Sequence, residues 1–177
     1  MTKVIKREHA ERAGAHESVL SVPEVMRTAP GIAIQGRKIR SLVFSTDLAV
    51  ICHCDADAVL AVYPFTCQPA ITQALVEKVA VPVCVTACAA DDVVRRQIAA
   101  GASIVNVAAG SRTPQVVEAL RREYPDLPII ATGGPTDDAI RATIAAGADA
   151  VSWTPPAIAD LEREVMEKAR RLAAELL

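Results

Sequence analysis

The residues of this chain with the clearest chemical promise are Thr132-Gly133-Gly134-Pro135-Thr136, where a short apolar run passes into a helical pattern. Glycines directly after a strand let the backbone approach a ligand closely. The first turn of the helix that follows offers free N–H groups and the positive end of its dipole. Thr132, Gly133, Gly134 and Thr136 are therefore candidates for binding a phosphate-like anion. The competing reading is a tight strand-to-helix turn with Thr136 as its cap. Thr154-Pro155-Pro156, after the last apolar run, forms a second loop of the same kind. Thr154 joins the phosphate-binding candidates, against a reading as a helix start with prolines in its first turn.

Proton transfer would need a titratable group at the same end of the strands. Asp47 is the carboxylate that most clearly ends a strand pattern, so it is the candidate general base; its other reading is a cap for the helix after Thr46. Tyr63, at the end of the second apolar run and close to Thr66-Cys67-Gln68, is the second candidate catalytic residue. Asp91, Asp92, Asp137 and Asp138 fall in helix first turns, where they complement the dipole. Arg112, in Gly110-Ser111-Arg112, either meets an anionic group or sits solvated at a helix start.

Several chemistries are disfavoured. Cys52-His53-Cys54 has the residue types of a zinc site, but it precedes the second apolar run, whereas Cys67 and Cys88 follow the C-terminal ends of runs. No metal and no cofactor is assigned. Cys88 would be a nucleophile only if a helix N-terminus lowered its pKa, and an inert thiol is the stronger reading. His9, His16 and His53 all lie away from the strand ends, which leaves no Ser/His/Asp or His-metal arrangement there. None of Lys3, Lys6, Lys38, Lys78 and Lys168 lies in a strand, which disfavours a Schiff-base aldolase. A two-carboxylate glycosidase lacks its second strand-end acid.

The elements that must position these residues follow from a repeat. Pro82-Val83-Cys84-Val85-Thr86, Asp91-Asp92, Arg95 and Ile98-Ala99-Ala100-Gly101-Ala102 return as Pro128-Ile129-Ile130-Ala131-Thr132, Asp137-Asp138, Arg141 and Ile144-Ala145-Ala146-Gly147-Ala148. The offset of about 46 residues is the length of two strand–helix units. Short Val-, Ile- and Ala-rich runs at 42–45, 59–63, 81–86, 104–108, 129–132 and 150–153 read as strands buried on both faces. Helical patterns separate them at 70–79, 91–100, 114–123 and 136–146, with a last one at 156–177. Gly101 and Gly147 stand where a left-handed C-cap is wanted. Before the repeat, Ser21-Val22-Pro23-Glu24 starts a helix running to about Thr28, and Ile32-Ala33-Ile34 is a short extended piece. The chain thus divides into an N-terminal arm, 1–40, and a parallel βα domain, 41–177. In parallel α/β folds ligands sit at the C-terminal ends of the strands.

With 51% hydrophobic and 23% charged residues, the chain can bury a sizeable core; aromatics at 3% leave Ala, Val, Ile and Leu to build it. A net charge of −2 gives no basic field for nucleic acid. No apolar run approaches the ~18–20 residues that span a bilayer, and residues 1–7 lack the apolar stretch of a signal peptide. A cytoplasmic protein with free thiols is expected, with neither nucleic acid nor membrane as a partner.

Ser41-Leu42-Val43-Phe44-Ser45-Thr46-Asp47, 55–65 from Asp55 to Phe65, Ile130-Ala131-Thr132-Gly133-Gly134-Pro135-Thr136 and Trp153-Thr154-Pro155-Pro156 together resemble a poorly characterised TIM-barrel family commonly labelled hydrolase. The resemblance covers roughly residues 40–177. It departs from the family pattern by about two βα units missing after 70–75. A weaker likeness, over 98–151, is to the barrel of inosine-monophosphate dehydrogenases, without that family's catalytic cysteine loop. The implied fold is an incomplete or atypically closed TIM-like barrel of about six strands. The implied function is that of a hydrolase or lyase of a small phosphorylated metabolite. A non-catalytic phosphometabolite-binding or regulatory module and a structural homo-oligomer are the alternatives.

Six strands are fewer than the eight that close such a barrel, so unpaired strand edges are expected at strands two and three beside the missing units, unless those two strands close on each other in a smaller, strained barrel. Residues 32–34 are apolar enough to cover one edge, and a second subunit is expected to cover the rest. The expected outcome is a homo-oligomer. Sedimentation at micromolar concentration should return a mass above the 18.7 kDa of one chain, and a concentration-independent mass at that value would overturn it.

Overall fold

The computed structural model describes residues 20–61, 69–85 and 91–156, with a few helical positions between 160 and 171. Tyr63, Thr66, Cys67, Gln68 and Cys88 lie outside the described residues, as do the lead 1–19 and the segment 86–90, whose place in the repeat corresponds to 132–136.

The arm begins with a 3-10 helix, Glu24–Thr28, entered through Pro23. Then comes a hairpin, β1 (Ile32–Ile34) and β2 (Arg37–Ile39), paired antiparallel with Ile34 opposite Arg37. Gln35 and Gly36 both have positive φ, +51° and +75°, as a two-residue turn matching the twist of the strands requires. The sequence reading found β1 but not β2, because Gln35-Gly36 is a weaker turn signal than Asn-Gly and Arg37-Lys38 looks solvated.

The six expected strands follow from Ser41 onward: β3 (Ser41–Phe44), β4 (Ala58–Ala61), β5 (Val83–Val85), β6 (Val105–Val107), β7 (Ile129–Thr132) and β8 (Ala150–Trp153). All pair in parallel, in the order β5-β4-β3-β8-β7-β6. The chain order is cyclic: first strand beside last, each other strand beside its chain neighbour, and one break between β5 and β6. A doubly wound sheet would reverse direction at a switch point instead. The sheet curls into a half-barrel flanked by helices, which is an incomplete TIM-like barrel. Strands two and three of the domain, β4 and β5, pair with each other, Val59 opposite Val83, so the open edges belong to β5 and β6.

Five helices connect the strands: α1 (Leu48–Cys52), α2 (Pro69–Lys78), α3 (Asp91–Ala99), α4 (Thr113–Glu123) and α5 (Asp137–Ala145). Side chains alternate across each strand. Val43, Val59, Ala61 and Val151 meet Val50, Ile51, Leu75 and Ile140 from the helices. Val105, Val107, Ile129 and Ala131 meet Val94, Val116, Val117 and Leu120. The opposite face carries Leu42, Ala58, Leu60, Cys84, Ile130 and Ala150, and these pack against Ile32, Ile34 and Ile39 of the hairpin. The arm was expected to cover a sheet edge. It covers the inner face instead, because in an open barrel that face is the larger apolar liability.

The N-terminal ends of the strands are held by carboxylates. Asp57, one residue ahead of β4, accepts from Arg40 N at 2.9 Å, Ser41 N at 3.0 Å and Ser41 Oγ at 3.1 Å. Asp149, one residue ahead of β8, accepts from Ile129 N at 2.8 Å and Arg121 Nη2 at 2.5 Å. Each Asp thereby fixes the first residue of the neighbouring preceding strand, which sets the register. In the repeat, Ser103 stands in the place of Asp149, ahead of β6, which has no preceding strand beside it. Arg121 also donates to the carbonyls of Gly147, Pro125 and Leu127, which ties two loops to α4.

Asp149→Ala would leave the N–H of fully buried Ile129 without this acceptor and should cost about 2–4 kcal/mol of unfolding free energy. Glu118→Ala, which removes an exposed pair with Arg122, should cost less than about 0.5 kcal/mol. Urea denaturation of both variants checks the contrast, and equal costs would refute the clamp.

Candidate functional site

A cavity of about 460 Å³ opens at the C-terminal ends of β7 and β8, lined by Thr132, Gly134, Pro135, Ser152, Trp153, Thr154, Pro155 and Pro156. Thr132 and Ser152 are register partners on adjacent strands. Strand alternation puts both on the face that carries Ile130 and Ala150. Just beyond them Gly133 N donates to Ser152 O at 3.1 Å, which extends the ladder by one residue. Three hydroxyls, those of Thr132, Ser152 and Thr154, thus belong to one cavity.

Of the sequence-derived candidates, Thr132, Gly134 and Thr154 line this cavity. Gly133 is buried behind it: an added Cβ would lie 2.5 Å from Val151 Cγ1 and 2.7 Å from Ile140 Cγ1. Thr136 is the N-cap of α5, its Oγ1 accepting from Ala139 N at 3.2 Å. Gly134 has φ +85°, which disfavours any residue with a Cβ. Both glycines therefore have structural reasons to be there. Packing against Val151 and Ile140 accounts for Gly133, and a left-handed φ accounts for Gly134.

Asp47 follows β3, the strand next to β8, and so stands at the same end as the cavity. It is the N-cap of α1: Oδ1 accepts from Ala49 N at 2.8 Å and Val50 N at 3.3 Å, and its own N–H donates to Ser45 Oγ at 3.0 Å. The capping role is thus realised. Tyr63, its proposed partner, lies outside the described residues. Arg112 is exposed in a short 3-10 turn after β6 and does not line the cavity.

Ser152 was missed from the sequence, hidden in the apolar run Ala150-Val151-Ser152-Trp153. The available signal was period-two alternation, which puts Ser152 on the same side as Thr154. Among the described residues, no charged side chain lines the cavity. Exposed Asp137 and Asp138 occupy the first turn of α5, where they complement its dipole and so offset the positive potential an anion would meet.

The described cysteines, Cys52, Cys54 and Cys84, are free thiols. Among the described residues no group of three or more His, Cys, Asp or Glu is arranged to hold a metal. His53 Nδ1 lies 2.8 Å from Ala49 O, at the C-terminus of α1. Burial raises the Cys54 pKa and pushes the Cys84 thiol up to about 11, which keeps both protonated near neutrality.

Gly134→Ala should cost about 1–3 kcal/mol from the left-handed φ alone, so loss of ligand response in that variant would say nothing about ligand contact. Asp47→Ala should cost about 1 kcal/mol as a lost cap, whereas Asp47→Asn should stay near wild type because Asn caps equally well. Equilibrium unfolding of the three variants checks this ranking.

Compared with known proteins, the chain matches no protein-family model and no curated protein.

Proposed function

We propose that this protein is a phosphometabolite-binding module of TIM-barrel type, its ligand held by Thr132, Ser152, Thr154 and the backbone at Gly134. The observation that carries this reading is the position of the hydroxyl-lined cavity after the last two strands. The loops there are where barrels of this type frequently hold phosphate. Neutral donors suit an anion bound by hydrogen bonds: hydroxyls can donate, and α5 begins just beyond Pro135 with its positive dipole end. Lacking a cation, such a site binds modestly, and Asp137 and Asp138 weaken it further. A binding or regulatory role is preferred to catalysis because no acid or base among the described residues lines the cavity.

A second reading, hydrolase or lyase with Asp47 and Tyr63 reactive, has one observation behind it: Asp47 ends the strand adjacent to β8. The family resemblance supports both readings. No helix among the described residues is long and apolar enough to cross a membrane; cytoplasmic residence is proposed from that and from the free thiols. A homo-oligomer is proposed because β5 and β6 each have a strand neighbour on one side only.

The test is thermal stability in the presence of inorganic phosphate and a panel of phosphorylated metabolites, with sodium chloride matching ionic strength. A ligand at a hundred times its Kd should add about 2.7 kcal/mol. Thr154→Val should reduce that gain, and Asp138→Asn should increase it. No response to any phosphorylated compound at millimolar concentration would overturn the reading. Turnover of a stabilising ligand that is lost in Asp47→Asn would favour the second.

A further inference from the structure

Resting on that binding reading, we infer that the ligand carries a ring-sized apolar group beside its phosphate, seated on the proline wall of the cavity. Volume is the first argument. A phosphate has five heavy atoms, and even a water molecule takes only about 30 Å³ of liquid volume. The cavity measures about 460 Å³, within the range that houses whole organic ligands. A phosphate alone would leave most of it to solvent.

Chemistry is the second argument, because the lining is divided. Thr132, Ser152 and Thr154 supply hydroxyls, and Gly134 supplies backbone. Pro135, from the loop after β7, and Pro155 and Pro156, from the loop after β8, supply none of the usual donors. A proline has no N–H, so it cannot bind phosphate through its backbone; what it offers is rigid CH surface at fixed φ. Three prolines from two loops therefore make a preformed apolar wall, to which Trp153 adds an aromatic residue. A phosphorylated polyol would leave that wall wet. A ligand with an aromatic or alicyclic ring would cover it, and the rigid prolines would lose little conformational freedom in doing so.

Titration calorimetry of the full chain with inorganic phosphate, glycerol phosphate and phenyl phosphate tests this. Phenyl phosphate should bind at least about tenfold more tightly than glycerol phosphate, a difference of about 1.4 kcal/mol. Pro155→Ser should remove that advantage while leaving glycerol phosphate binding within about twofold. Should the variant fail to fold, the wild-type affinity ratio decides alone. Emission from Trp153, the chain's one tryptophan, should change more with phenyl phosphate than with inorganic phosphate. Equal binding of the two organic phosphates would overturn the ring inference and leave the phosphate reading standing. Binding of none of the three would sink the phosphate reading itself, and the ring inference with it.

Discussion

The pairing of β3 with β8 is the constraint on which the rest of this structure depends. It joins the first and last strands of the domain, Val43 opposite Trp153, and turns two three-strand βα segments into one continuous sheet. Without it the chain would hold two sheets of three strands, each with an exposed inner edge. With it, the ends of β7, β8 and β3 lie side by side, which brings Thr132, Ser152, Thr154 and Asp47 to one region. The seam is secured from outside the ladder as well. Val151 N donates to Arg40 O and Gly31 N to Asp149 O, so the arm and the last strand hold each other.

The two ends of the strands are built from different materials. At the N-terminal end, Asp55, Asp57 and Asp149 accept backbone N–H groups from other segments, and Arg27 and Arg121 partner the carboxylates of Asp55 and Asp149. Charged side chains there are used up in register and loop closure. At the C-terminal end, the cavity is lined by hydroxyls, glycine, prolines and a tryptophan, and Asp47 is occupied in capping. Stability is concentrated at one end and space at the other, which is the division of labour expected when ligands bind outside the carboxyl ends of parallel strands.

An open barrel has an exposed inner face as well as free edges, and the N-terminal arm addresses the face. Ile32, Ile34 and Ile39 lie against Leu42, Leu60 and Ile130, and all six are buried. The helices could not do this, since each returns on the outside of the sheet. A hairpin suits the task because its own backbone groups are partly paired before it is buried. Residues just ahead of it are strapped down too: Leu20 N donates to His53 O, and Val22 N donates to Asp55 Oδ1 at 2.8 Å.

The sequence by itself determined the six strands, four of the five intervening helices and the location of the loops. Apolar runs, caps and glycine stops are local signals, and Gly101, Gly147, Thr136 and Asp47 perform locally the backbone roles their types imply. Thr132, Gly134 and Thr154 were legible as site candidates for the same reason: each directly follows or ends an apolar run. Tertiary structure alone decided that β4 and β5 pair and that the break falls between β5 and β6. Strand neighbours depend on which faces and edges are satisfied at long range, and no local pattern encodes that. It also decided the roles of Gly133 and Ser152. Gly133 is set by Val151 and Ile140 across the strand–helix junction. Ser152, inside an apolar run, becomes a cavity residue only because β7 places Thr132 at its side.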